Sequence, residues 1–87
     1  MEISIDETSV MAIQQLGTMA LDEVSDFIYA VEAAPSIKAL MTIYDDVELT
    51  EGRLTFLAKT NAQHVAASVQ IEVNQKGEAV LTVKHYD

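Results

Sequence analysis

Midway along this chain the apolar residues change period, and that change limits the fold more than any other feature. Val10, Ile13, Gly17, Ala20, Leu21, Val24, Phe27, Ile28 and Val31 recur at three- and four-residue steps. This is the buried stripe of a 3.6-residue helix, and Gln14, Gln15, Thr18, Asp22, Ser25 and Asp26 fall on its other side. From residue 47 onward the apolar residues alternate instead, the period of a strand with one covered face. A chain of 87 residues has room for one core, so the two halves must be its two layers. The expected fold is a single α+β domain over residues 1–87. An N-terminal amphipathic helix, with or without a second short helix, packs on a C-terminal antiparallel β-meander.

Local signals place the elements. Glu2-Ile3-Ser4-Ile5 alternates and reads as a short strand or a docked arm. Asp6, Thr8 and Ser9 are each acceptable helix N-caps, because a short side-chain oxygen can accept an orphan backbone N–H. Gly17 costs roughly 1 kcal/mol against alanine inside a helix and marks a kink, a close packing point or a break. Pro35 disfavours helical geometry at Ala34 and ends the run. Residues 36–44 fit a helix through Ile37, Leu40, Met41 and Tyr44, or a strand through Ile37, Ala39, Met41 and Ile43. Helix is preferred because Ala, Leu, Met and Lys are strong helix formers.

Thr50-Glu51-Gly52-Arg53 and Asn74-Gln75-Lys76-Gly77 are hairpin turns, each with a glycine to take a positive φ. Thr60 to Gln63 reads as a loop between the hairpins. Alternation puts Leu54, Phe56, Ala58, Val69, Ile71, Val73, Ala79, Leu81 and Val83 on the core face. Thr55, Leu57, Lys59, Ser68, Gln70, Glu72, Val80, Thr82, Lys84 and Tyr86 then point outward, and Leu57, Val80 and Tyr86 would form a patch if they cluster.

Several chemistries are excluded by residue type. Without cysteine there is no disulfide framework, thiolate nucleophile or Cys-ligated zinc. His64 and His85 lack the additional close ligands that a zinc site needs. Ser68, His85 and Asp87 form a triad on paper only, because Ser68 precedes a strand without the glycines of a nucleophile elbow. Asp45-Asp46-Val47-Glu48 lacks the turn glycine of a calcium loop. Gly17, Gly52 and Gly77 occur singly, so no phosphate-cradling loop is present. The expectation is a non-enzymatic protein with no cofactor and no metal. No apolar run is long enough to span a membrane, and no leader pattern opens the chain, which reads as cytoplasmic.

Charge carries the functional reading. The net charge is −9, which opposes direct binding to nucleic acid phosphates. Residues 1–52 hold Glu2, Asp6, Glu7, Asp22, Glu23, Asp26, Glu32, Asp45, Asp46, Glu48 and Glu51 against Lys38 alone. Residues 53–87 hold Glu72, Glu78 and Asp87 against Arg53, Lys59, Lys76 and Lys84. An acidic helical side and a near-neutral sheet side follow. On a continuous helix, Met11, Asp22 and Tyr29 fall within about 20° of one another, away from the core stripe. Met11 and Tyr29 either cover the edge of the core or belong to a partner-docking face bordered by acids.

The favoured function is a small protein–protein interaction module. Its candidate partner-binding residues are Asp22, Glu23, Asp26, Tyr29, Asp45, Asp46, Glu48 and Glu51. In size, acidity and lack of motifs the chain resembles small viral and plasmid inhibitors of host nucleases and CRISPR complexes. That resemblance implies an anti-CRISPR or anti-nuclease inhibitor docking on the basic nucleic-acid-binding surface of a partner. The alternative is a homo-oligomeric adaptor or assembly protein, a homodimer in the simplest case, whose acidity serves only solubility.

Overall fold

A computed structural model describes residues 1–61 and 64–86 of the chain. The elements run β1 (Ile3–Ile5), α1 (Glu7–Gln14), α2 (Thr18–Ala33), α3 (Ile37–Ile43), β2 (Glu48–Thr50), β3 (Arg53–Asn61), β4 (His64–Val73) and β5 (Ala79–His85). The five strands form one sheet in the order β1-β5-β4-β3-β2. The fold is α+β as expected, and strands β2 to β5 are an antiparallel meander. The N-terminal segment adds a feature that local patterning does not encode. β1 joins the far edge parallel to β5, pairing Ile3 with Ala79 and Ile5 with Leu81, so the sheet is mixed.

Each helix has a local cause. Asp6 caps α1 by accepting the Ser9 N–H at 2.8 Å. Ser36 caps α3 by accepting the Ala39 N–H at 3.3 Å, which settles residues 36–44 in favour of helix. The long apolar stripe divides into two helices at Gly17. Gln15 closes α1 and Gly17 is the N-cap of α2 with extended backbone angles. Leu16, between them, is buried in the core. Met11 therefore stands on a different helix from Asp22 and Tyr29, and the expected common stripe of the three does not form. The amino nitrogen of Met1 lies against the C-terminal carbonyls of α2, donating to Val31, Glu32 and Ala34 at 3.2, 2.9 and 2.7 Å.

The strands follow their turns. Glu51 and Gly52 both have positive φ, +54° and +77°, the signature of the type I′ hairpin turn that matches strand twist. In the β4–β5 turn, Asn74 Oδ1 accepts the N–H groups of Lys76 and Glu78 while Gly77 takes φ +82°. The stretch expected as a loop from Thr60 is partly strand. Thr60 and Asn61 end β3 and His64 starts β4, while Ala62 and Gln63 lie outside the described residues.

All three helices cover the same face of the sheet. Val24, Phe27 and Val31 of α2 and Leu40 of α3 are fully buried in one core with Leu54, Val69, Ile71 and Leu81. Each such side chain contributes ~1.5–3 kcal/mol of burial. Phe27, Tyr44 and Phe56 form its aromatic end: Phe27 stacks on Phe56 at 4.4 Å, and Tyr44 meets both edge-on at 5.2 and 5.5 Å. Val73, expected in the core, is 40% exposed at the end of β4. Ser68 points to the open face as expected but is buried, with its hydroxyl 3.2 Å from that of Tyr86.

The edges of the sheet are finished by side chains. β1 and β2 are three-residue strands, each covering only part of a longer neighbour. Beyond β1, the Val83 N–H of β5 donates to the buried Ser9 hydroxyl of α1 at 3.0 Å. On β3, where the register with β4 shifts, the Lys59 N–H donates to Glu23 of α2 at 2.7 Å. In both places a helix supplies the acceptor that an added strand would otherwise offer.

Candidate functional site

The acidic residues of α2 divide by helix geometry. Ala20, Val24, Phe27 and Val31 face the sheet. Asp22 and Tyr29 lie about 180° away, on the outward surface, and Tyr29 is 75% exposed. Glu23 and Asp26 lie on the flank beside the α3–β2 connection. There they meet Asp46, and the three carboxylates line a shallow cavity of about 250 Å³ with Tyr44 and Phe56. Burial is the main cause that raises the Tyr44 phenol above its usual pKa, with Asp26 and Asp46 adding to the rise. A negative field is thus concentrated over one aromatic ring.

Of the eight candidate residues, the fold brings Glu23, Asp26 and Asp46 together in this cavity. Asp45 is exposed in the adjacent turn. Glu48 goes elsewhere: it pairs with Thr55, whose ladder partner is Gln70, which puts it on the helix-free side of the sheet. Glu51 sits at the exposed tip of the β2–β3 turn. Glu23 also has a structural task, since its carboxylate accepts the Lys59 N–H. Sequence patterning found these carboxylates but missed that bond, and it did not single out Tyr44 as the floor beneath them. A visible signal was Tyr44 standing directly before Asp45-Asp46.

The helical layer carries Asp6, Glu7, Asp22, Glu23, Asp26 and Glu32, and the connection after it carries Asp45 and Asp46, against Lys38. Among the described residues, none of these carboxylates has a lysine or arginine within ion-pair distance. On the open face, Arg53 pairs with Glu72 across β3 and β4 at 3.6 Å, with both side chains more than half exposed.

The other candidates separate. Ser68 pairs with Lys84, whereas His85 pairs with Ala67, so Ser68 and His85 project from opposite faces of the sheet. Asp87 lies outside the described residues. His64 is exposed at the start of β4. Leu57 is in register with Ser68 and lies near Tyr86, but Val80 pairs with Glu72 toward the other end of the sheet, so the three do not make one patch. Among the described residues, no helix is long and apolar enough to cross a membrane. No protein-family model, curated protein or solved structure matches this chain.

Proposed function

We propose that this protein is a non-enzymatic interaction module whose acidic helical layer docks on a basic surface of a partner protein. The specific case favoured is an inhibitor that occupies a surface otherwise used to hold DNA or RNA. One observation carries the reading. The helices lie on a single face of the sheet, and Asp22, Asp26, Asp45 and Asp46 stand exposed on that side without lysine or arginine partners. Such a one-sided field steers and accelerates encounter with a positive surface. Carboxylates held there compete with phosphates for the same lysines and arginines.

The test begins with affinity capture of the partner from the native host, followed by association kinetics at stepped ionic strength. Association slows steeply with salt, because exposed charges are screened within about 8–10 Å. Asp22→Lys with Asp26→Lys slows association at least tenfold while thermal stability is kept, and the captured partner loses bound nucleic acid as the native protein is added. Association that is indifferent to salt and to both reversals overturns the reading.

A further inference from the structure

We infer that residues 1–16 are a detachable clip that two copies of this chain exchange, giving a dimer in which β1 and α1 of each copy seat on β5 of the other. The exchange is independent of the acidic docking reading. β1 and α1 move as one piece, since Asp6 alone separates them. The clip packs on β5, whereas α2 packs on β3. Its ties to the rest of the chain include the pairing of Ile3 with Ala79 and Ile5 with Leu81, the Ser9–Val83 bond at 3.0 Å and the Met1 amine on the end of α2. Every one of these partners is present on a second copy in the same register, so exchange restores each tie.

The hinge lies where helix patterning and the closed fold disagree. The buried or half-buried residues Ser9, Ile13, Leu16, Ala20, Val24 and Phe27 step by three or four positions straight through the break between α1 and α2. A single helix over 7–33 would carry them on one unbroken inner face. Little backbone separates the two arrangements. Gln15 already lies in the αR region, and Gly17 has φ −70° and departs from the helix in ψ, at 169°. Neither backbone nor crowding calls for glycine there: φ is negative, and among the described residues no atom lies within 4 Å of the place a Cβ would occupy. What glycine does at this position is disfavour the continuous helix and so hold the clip closed. Bringing the Gly17 ψ to its helical value joins α1 to α2 and carries residues 1–16 off β5 as a unit. Each copy bears a charge of −9, which opposes the encounter, so added salt promotes the dimer. Salt has the opposite effect on docking to a basic partner, and the two readings therefore fail separately.

In the experiment the full chain is concentrated, warmed to the onset of melting and cooled, and its mass is followed by light scattering after gel filtration. A dimer forms and gains with salt. Gly17→Ala favours helix at the hinge and is a poorer N-cap for α2, so it lowers the dimer dissociation constant at least tenfold. Gly17→Pro suits the φ of −70° in the closed chain but breaks a continuous helix, and it leaves only monomer with native circular dichroism. Ser4 and Val80 are register partners across β1 and β5, and the chain has no cysteine of its own, so Ser4→Cys with Val80→Cys is oxidised without competing thiols. In the monomer that disulfide lies within one chain; in the dimer it joins two chains, which stay together in denaturant. Three results each overturn the inference: native and Gly17→Ala chains that both stay monomeric, a dimer that Gly17→Pro leaves unchanged, or an oxidised dimer whose chains separate in denaturant.

Discussion

Replacing Ser9 by alanine deletes one oxygen atom, yet it should unfasten the outer part of β5. The Ser9 hydroxyl accepts the Val83 N–H at 3.0 Å, and Ser9 is only 1% exposed, so water cannot take its place without the edge opening. A buried donor left unpaired costs about 1–3 kcal/mol. Alanine returns up to roughly half a kcal/mol through its better helix propensity. The expected net loss is therefore about 0.5–3 kcal/mol, or a fall of roughly 2–24 °C in Tm for a domain of this size. The same hydroxyl also acts on Asp6: the Ser9 side chain, and then the Ser9 N–H, hold the Asp6 carboxyl below its usual pKa. Urea denaturation measures the stability change. Amide exchange at Val83 reports whether the loss is at that bond, and a carboxyl NMR titration of Asp6 shows its pKa rising toward the ordinary value. A stability change under about 0.5 kcal/mol, with Val83 exchange unaltered, would refute the argument that this hydroxyl closes the edge.

Three further outcomes follow from the same geometry. Glu23→Ala frees the Lys59 N–H and should lower stability by about 0.5–1.5 kcal/mol, with Glu23→Gln between it and the native chain and Asp22→Ala within about 0.5, all measured by urea denaturation. Because the folded pKa of Asp6 is depressed, its contribution is fully present above the ordinary aspartate pKa and is lost as pH falls through the lower folded value; acid titration followed by circular dichroism should show this, and Asp6→Asn, which keeps a capping oxygen, should flatten that part of the curve. Tyr44 behaves in the opposite sense: its raised pKa makes it favour the folded state below the ordinary tyrosine value and lose that contribution as pH climbs toward the folded one. Tyrosinate absorbance in a Tyr29→Phe, Tyr86→Phe background should show the titration moving down in Asp26→Asn and Asp46→Asn.

What could be read from sequence is what depends on near neighbours. The turn at Asn74–Gly77 and the hairpin at Glu51-Gly52 rest on φ preferences of single residues, and both formed where expected. The helix over residues 37–43 was preferred on propensity, and the Ser36 cap that starts it was not read from the sequence. The start of β4 was missed because Ala66, Ala67, Ser68 and Val69 are buried in succession. With both faces covered, partly by Tyr86 on the open side, no alternation remains to mark a strand, and alanine has little β preference of its own. Ser9 resembled an ordinary N-cap, because its partner Val83 is 74 positions away. The acidic residues were visible as residues, but their grouping was not. Whether Glu48 joins Asp46 or faces the other way depends on one step of register against Thr55.

The parallel pairing of β1 with β5 also bears on how the domain is assembled. β3, β4 and β5 pair with strands adjacent in sequence, whereas Ile3–Ile5 and Ser9 find their partners more than 70 positions away. Closing so long a loop is entropically slow, so the opening segment should be the last piece added and the first to detach under mild denaturant. In that partly undone state the outer rim of β5 would lie bare, a strand-shaped vacancy that another polypeptide could fill. The outer rim of β5 is thus guarded only while the segment Ile3–Ser9 stays docked on it.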